Sequence, residues 1–230
     1  MIKHLLVTFV LGGFVGLDTT AAWQVLFSHP LISCTVVGLL YGQLEWGLFF
    51  GILFELVWFY DLPIGGARFP EGNLGSFTGL MVVLTVLPQA VTFHAWLFLM
   101  GALYAVIASY LFGLTVVFMR RNNLYLVERA DRYAQQGEAS KVGTMHVLGV
   151  VHTYFHGAVW ATIFYVLGVW LFRRLLPFMQ RLPDFPVHYL QAVLLGVGMA
   201  VMINYFINRR RLGYLAAGLL LGLGTAIFGN

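Results

Sequence analysis

The chain has 230 residues and a mass of 25.7 kDa; 60% of its residues are hydrophobic, 16% aromatic and only 10% charged. Soluble domains carry about 25% charged residues, and over half of any folded surface still faces water. A mean hydropathy of +0.84 therefore excludes a soluble enzyme, a nucleic-acid binder and a disordered regulator as first readings. The remaining solvent is a bilayer, and the expected fold class is an all-α, polytopic integral membrane protein forming one domain over 1–230. The net charge of +4 does not point to nucleic acid, because the basic residues fall in a few clusters between apolar runs, as membrane topology requires.

The chain opens with Lys3 and an apolar run at 5–17, a pattern that mimics a signal peptide. The following Asp18-Thr19-Thr20-Ala21-Ala22-Trp23 is a poor cleavage site and more membrane segments follow, so an uncleaved start is expected. The next apolar runs, 31–42 and 46–60, are short. The first holds Cys34, the single cysteine, which excludes a disulfide framework and a cysteine-based zinc site. A thiol in such surroundings is expected to be inert. Five of the nine acidic residues, Asp18, Glu45, Glu55, Asp61 and Glu71, lie in the first 75 positions, against Lys3 and Arg68 as the only basic ones. The stretch 63–75 carries two prolines and four glycines. Backbone freed from helical bonding is tolerated at membrane depth only where protein or a water-filled cavity satisfies it. Broken helices or re-entrant hairpins lining a binding cavity are therefore expected in the first half; a plain extramembrane loop is the competing reading.

The second half is simpler. A spanning helix needs about 20 apolar residues, and 95–119, 147–172 and 189–207 meet or approach that length. The last run, 212–228, is short and glycine-rich, and either spans or re-enters. Arg120, Arg121, Arg129, Arg132 and Lys141 occupy the first polar loop, Arg173, Arg174 and Arg181 the second, and Arg209, Arg210 and Arg211 the third. If each run crosses once, the first and third loops share a side with eight basic residues against three. The positive-inside rule then places 120–146 and 208–211 in the cytoplasm and 173–188 outside. Within 120–146, Leu124, Val127, Ala130 and Ala134 recur at helical spacing, which predicts an amphipathic helix on the cytoplasmic membrane surface; a solvated linker competes. Its arginines are expected to set topology or dock a partner.

Glu55 is the sharpest single residue. It sits inside the apolar run Gly51-Ile52-Leu53-Phe54-Glu55-Leu56-Val57-Trp58, where an ionised carboxylate costs several kcal/mol unless it is paired or wet. It either faces a site or locks helices together. Asp18 and Gln24 flank Trp23; carboxylates and amides can bond adjacent hydroxyls, and an aromatic face stacks on a sugar's C–H surface. Interfacial anchoring by Trp23 is the competing reading. Arg68 and Glu71 are spaced for a local ion pair. His152 and His156 share a helix face, but no third ligand is apparent, so hydrogen bonding between helices is expected instead of metal binding. No phosphate-binding loop, nucleophile elbow or other catalytic signature is present, and no cofactor is expected.

The order of several elements is similar to the membrane subunit IIC of the mannose-family (sorbose/mannose type) phosphoenolpyruvate-dependent sugar phosphotransferase system. The elements are Gln24, Ser28-His29-Pro30-Leu31, Gly38, Gly42-Gln43, Gly47, Gly51, Glu55-Leu56, Pro63-Ile64-Gly65-Gly66-Ala67 and Phe69-Pro70-Glu71. Residues 126–137, Met145-His146 and Met202-Ile203-Asn204 extend the resemblance along nearly the whole chain. Gln43 and His29 stand where the family usually has aspartate and arginine, Phe69-Pro70-Glu71 varies its Pro-Pro-Asp, Arg68 adds a charge, and the chain ends about one helix earlier than typical members. The resemblance implies a multi-pass protein of the bacterial cytoplasmic membrane. It implies a hexose-type sugar as substrate, a IID membrane subunit and soluble IIA and IIB proteins as partners, and a homo-oligomer of the IIC–IID unit. Phosphate passes through histidines on IIA and IIB, so the chain is not itself expected to be an enzyme. The site residues implied are Asp18, Gln24, Glu55, Pro63, Gly65, Gly66, Glu71 and Asn73. Two other readings stay open: a secondary transporter or facilitator using Glu55 as a proton or substrate site, and a transport-inactive docking subunit.

Overall fold

The computed structural model describes residues 2–59, 69–90, 94–183 and 185–204, together with 213–214, 216–218 and 220. Among these, seven α-helices follow in order: α1 (Ile2–Thr20), α2 (Pro30–Leu40), α3 (Leu44–Val57), α4 (Gly72–Val86), α5 (His94–Gln135), α6 (Ala139–Met179) and α7 (Val187–Asn204). A single 3₁₀ turn, Leu87–Gln89, extends α4. The chain is an α-helical membrane protein: α1, α5, α6 and α7 are long and apolar enough to cross a bilayer. The run 212–228 falls mostly outside the described residues.

The first half is built from short helices, as its broken apolar runs predict. α2 and α3 have 11 and 14 residues, about 17 and 21 Å long, against a hydrocarbon core of about 30 Å. They fold back on each other through a turn at Gly42, whose φ of +65° suits glycine. The pair closes on glycines: a methyl added at Gly47 would lie 2.6 Å from the Cys34 carbonyl oxygen. α4 starts at Gly72, and Gly72 and Gly75 admit the Trp58 ring and the Ser109 side chain against their backbone. Thirteen of its 15 residues are buried, and it is apolar all round, the signature of a central helix. It touches α1, α2, α3, α5 and α6.

The stretch 120–146 is not a separate surface helix. Residues 120–135 continue α5, and 139–146 are the first turns of α6. Good helix formers without glycine or proline carry α5 past the end of its apolar segment. It ends at Gly137, φ +77°, in a Schellman motif: Glu138 N–H donates to the Tyr133 carbonyl at 2.9 Å and Gly137 N–H to Ala134 at 3.0 Å. The result is a long helical hairpin with the arginine cluster on its α5 arm.

Helices in lipid gain nothing from hiding apolar surface, so close contact of small residues holds them together. α1 meets α6 at Gly12 and Gly16 against Gly157 and Ala161; α4 meets α5 at Gly75 and Gly79 against Ala105 and Ser109. One half-buried polar knot adds to this. The Thr85 hydroxyl lies 2.8 Å from His4 Nδ1 and 3.0 Å from the Tyr165 hydroxyl, joining α4 to α1 and α6. His152 Nδ1 and Asn123 Oδ1, 2.7 Å apart, join α6 to α5. α7 is peripheral, with 11% of its spanning window buried, and rests Gly198 on Leu53 and Leu56 of α3.

A side chain at Gly157 meets the Gly12 carbonyl oxygen at 2.6 Å. Gly157→Ala is expected to lower thermal stability in detergent by about 1–3 kcal/mol, the usual cost of overpacking. Gly143→Ala, where a methyl meets nothing within 4 Å, is the control and is expected to hold or gain stability. Equal melting of the two variants would overturn this account of the α1–α6 contact.

Candidate functional site

Where α1 ends, the chain makes a tight excursion before α2. Trp23, Gln24 and Leu26 adopt φ of 69°, 51° and 68°. Left-handed backbone costs a non-glycine residue about 1–2 kcal/mol. The Asp18 carboxylate holds this loop. Its Oδ1 accepts the Val25 N–H and its Oδ2 the Ser28 N–H, both at 2.8 Å. Asp18 is 2% exposed, and two charge-assisted bonds, about 1.5–3 kcal/mol each, are comparable to the strain they offset.

The loop brings His29 to the C-terminal turns of α3. Glu55 Oε1 lies 2.7 Å from His29 Nδ1, and Oε2 accepts the Leu31 N–H at 3.1 Å, in the first turn of α2. A carboxylate at a helix N-terminus is favoured by the helix dipole. The histidine at this position thus forms an ion pair with Glu55 when protonated. On the far side, Glu71 precedes α4, 2% exposed, with its N–H donating to the Ser109 carbonyl of α5 at 2.8 Å. Asn73 Nδ2 donates to Thr19 Oγ1 at 3.3 Å and ties the start of α4 to the end of α1.

These elements enclose a cavity of about 180 Å³. Five of the eight residues expected at the site line it: Asp18, Gln24, Glu55, Glu71 and Asn73. Pro63, Gly65 and Gly66 lie outside the described residues, as does Arg68, the expected partner of Glu71. Trp23 does not line the cavity; its ring stacks on Phe14 at 5.3 Å and 18°. The aromatic walls are Trp58, Phe59 and Phe69, which the sequence reading passed over. Their signal was adjacency: two follow Glu55 by one helical turn and the third precedes Pro70-Glu71. Ser28 and His29 were missed as lining residues for the same reason. His156 lies away from this cavity, and among the described residues no group of three or more His, Cys, Asp or Glu is placed to hold a metal.

The arrangement is that of a small polar-ligand site. Three carboxylates (Asp18, Glu55, Glu71) and two amides (Gln24, Asn73) offer acceptors and donors to one space beside aromatic faces. Asp18 is committed to the loop, so it shapes the site more than it contacts a ligand. Asp18→Ala loses both backbone bonds, whereas Asp18→Asn keeps one acceptor oxygen. Thermal unfolding is expected to rank wild type above Asn above Ala, with the alanine variant down by about 3 kcal/mol. Indistinguishable stabilities would refute the anchoring role.

Comparison with known proteins agrees with this architecture. The family described as the sorbose-specific IIC component of the PTS system matches residues 1–227. The fructose permease IIC component of Bacillus subtilis is 26% identical over 202 residues, 87% of this chain and 70% of that protein. The mannose-specific EIIC component of Escherichia coli K12 is 26% identical over 207 residues, 89% and 73% of the two chains. A solved structure described as a membrane protein superposes with a TM-score of 0.67 at 21% identity, covering 100% of this chain and 88% of that one. The mannose transporter ManYZ, solved by cryo-EM with microcin E492, gives 0.54 at 18% identity with the same coverage; both share the fold. With its broken-helix first half, its long spanning helices and a family match along almost its full length, the chain belongs to the sorbose-specific IIC component family of the phosphotransferase system.

Proposed function

We propose that this subunit carries a hexose-type sugar across the bacterial cytoplasmic membrane, with the sugar seated in the cavity between Asp18, Gln24, Glu55, Glu71 and Asn73. The observation that carries this reading is the convergence of three carboxylates and two amides on one cavity walled by Trp58, Phe59 and Phe69. Carboxylates accept from vicinal hydroxyls, and aromatic faces cover the apolar side of a pyranose. The masked-charge logic of a membrane supports it: carboxylates in such positions mark pathways. Residues 63–67, outside the described residues, are assigned to the same site on the family resemblance.

The chain works with a IID membrane subunit and soluble IIA and IIB proteins, as a homo-oligomer of the IIC–IID unit. The mannose-family relatives and the shared fold of a transporter solved as ManYZ support the membrane partner. The exposed apolar surface of α7 supplies area for one. The phosphoryl group passes from a phosphohistidine of IIB to a sugar hydroxyl: the N–P bond breaks, an O–P bond forms, and the hydroxyl proton goes to the imidazole. The carboxylate-rich cavity has no part in that exchange beyond holding the acceptor sugar, so the chain is a transport subunit without a phosphoryl-transfer site of its own. The α5–α6 hairpin faces the cytoplasm on the positive-inside count, and Phe69 of the cavity lies against Gly113 near the hairpin end of the apolar part of α5. The cavity is thus within reach of a cytoplasmic donor.

Glu55→Gln keeps size but removes the charge that sugar hydroxyls and His29 both use. Sugar affinity is expected to fall about tenfold or more, with recovery of the IID complex on purification unchanged. Uptake should require phosphoenolpyruvate and release phosphorylated sugar inside vesicles. Unchanged affinity in the variant would sink the site assignment. Accumulation of unmodified sugar that collapses with an uncoupler would instead make Glu55 the proton site of a secondary transporter.

A further inference from the structure

α1 and α6 touch through bare backbone at one level and part at another. A methyl added at Gly16 would lie 2.9 Å from Gly157 Cα, and one at Gly12 would lie 2.6 Å from Ala161 Cβ. Toward the start of α1 and the end of α6 these small residues give way to Leu5 and Tyr165, and a groove of about 380 Å³ lies beside them. Leu5 is its α1 wall. The rest is one stripe of α6 at helical spacing: Val166, Val169, Trp170, Arg173 and Arg174, over a buried Tyr165. The stripe changes character along its length. Its apolar part belongs to the run 147–172, and the arginines follow directly, Arg173 about 10 Å beyond Val166 along the axis. Both arginines are exposed. The Arg174 guanidinium lies 5.7 Å from the Trp170 ring. Among the described residues neither arginine forms an ion pair, and no carboxylate lines the groove. This end of α6 is the one remote from the α5–α6 hairpin, where most of the basic residues that orient the chain gather.

We propose that this groove holds an anionic phospholipid, with an acyl chain along Leu5, Val166 and Val169 and the headgroup phosphate against Arg173 and Arg174. The apolar part of the groove offers water no partners and stays dry. An acyl chain fills it without leaving a polar group unsatisfied. The arginines stand where the apolar run of α6 ends, at the level of the headgroups, beside a tryptophan of the kind that marks that level. Their planar guanidinium forks match phosphate oxygens. The order of the two parts along α6, apolar first and cationic next, is that of a lipid chain and its headgroup. An anionic headgroup is favoured over a zwitterionic one, because an ammonium finds no carboxylate on these walls. Lys3, exposed and two residues before Leu5 on α1, adds a third positive charge at this end of the bundle. The seat has a structural consequence. Tyr165 is the α6 member of the knot with Thr85 and His4, so the lipid covers the outer side of the joint between α1, α4 and α6.

The test uses the full chain, coexpressed with the IID subunit of its own system and purified in detergent. Native mass spectrometry then reads the adducts formed with phosphatidylglycerol, with phosphatidylethanolamine of the same acyl chains, and with glycerol 3-phosphate as a chainless probe. Phosphatidylglycerol should bind about tenfold or more tighter than phosphatidylethanolamine, on the order of the attraction two arginines exert on an anionic lipid. The double variant Arg173→Gln, Arg174→Gln should abolish that preference. Val169→Trp, which fills the groove and leaves both arginines, should weaken both lipids together. Arg132→Gln, on the hairpin, should change nothing. Equal affinity for the two lipids in the wild type would overturn the proposal, as would a preference that survives the double variant. An equal loss in Arg132→Gln would show that charge anywhere on the chain suffices. Unchanged lipid binding in Val169→Trp would remove the acyl seat, and glycerol 3-phosphate binding as tightly as phosphatidylglycerol would make this an anion site with no role for lipid. No lipid bound to the complex would show the groove to be covered by protein instead.

Discussion

Inside a bilayer, backbone that leaves a helix has to find its hydrogen-bond partners within the protein. The segment between α1 and α2 leaves helical geometry for nine residues, and the Asp18 carboxylate meets two of its N–H groups. That anchor adds to the backbone bonds of Gln24 N–H to Ala22 and His29 N–H to Leu26, both 3.0 Å, in placing the loop. Without His29 in place, Glu55 loses the partner of its Oε1 oxygen. One side of the cavity is therefore shaped by a buried carboxylate that holds the loop back against the end of its own helix. The same charge would be costly in hydrocarbon unpaired; two backbone donors make it tolerable.

A second constraint acts at longer range. Because lipid supplies no hydrophobic drive between helices, the bundle depends on how closely backbones approach. Glycine pairs bring α1 to α6 and α4 to α5, so α4 sits in the centre with small residues on more than one face. This centring fixes the cavity floor, since Gly72 and Asn73 are the first residues of α4. The glycines that look like helix breakers in the sequence are here helix contacts. Their positions are set by what lies across from them, a Trp58 ring or a Ser109 side chain, and a single chain read in order carries no record of that neighbour.

What was legible in the sequence follows the same division. Apolar runs of membrane length announced α5, α6 and α7, because length alone decides them. Carboxylates in apolar surroundings stand out in the sequence because their cost is local and does not depend on neighbours; Asp18, Glu55 and Glu71 line one cavity in the structure. At 120–146 the amphipathic spacing does not show that the helix is continuous with α5 and α6. The spacing is real, but an uninterrupted helix continues until Gly137 stops it, and periodicity alone does not mark where one helix joins the next. Trp23 was similarly ambiguous: its partner is Phe14, nine residues back and one face over, a contact made by the reversal of the loop. The aromatic walls at Trp58, Phe59 and Phe69 stayed hidden because aromatic residues are common throughout this chain.

The polar bonds around the cavity fall into two sets. Glu55 is bonded to His29 and Leu31, within the unit formed by α2, α3 and the residue before them. Asn73 is bonded to Thr19, within the unit formed by α1 and α4. Among the described residues, the bonds that cross from one set to the other are those of Asp18 to the loop. The site thus lies at a seam, with His29 and Glu55 on one side, Asp18, Thr19, Glu71 and Asn73 on the other, and the loop of Gln24 and Ser28 between them. A ligand whose hydroxyls reach Glu55 and Asn73 together adds a second tie across that seam. Its binding free energy is then spent on holding the short α2–α3 hairpin against the long-helix bundle, which links occupancy of the cavity to the relative placement of the two parts of the fold.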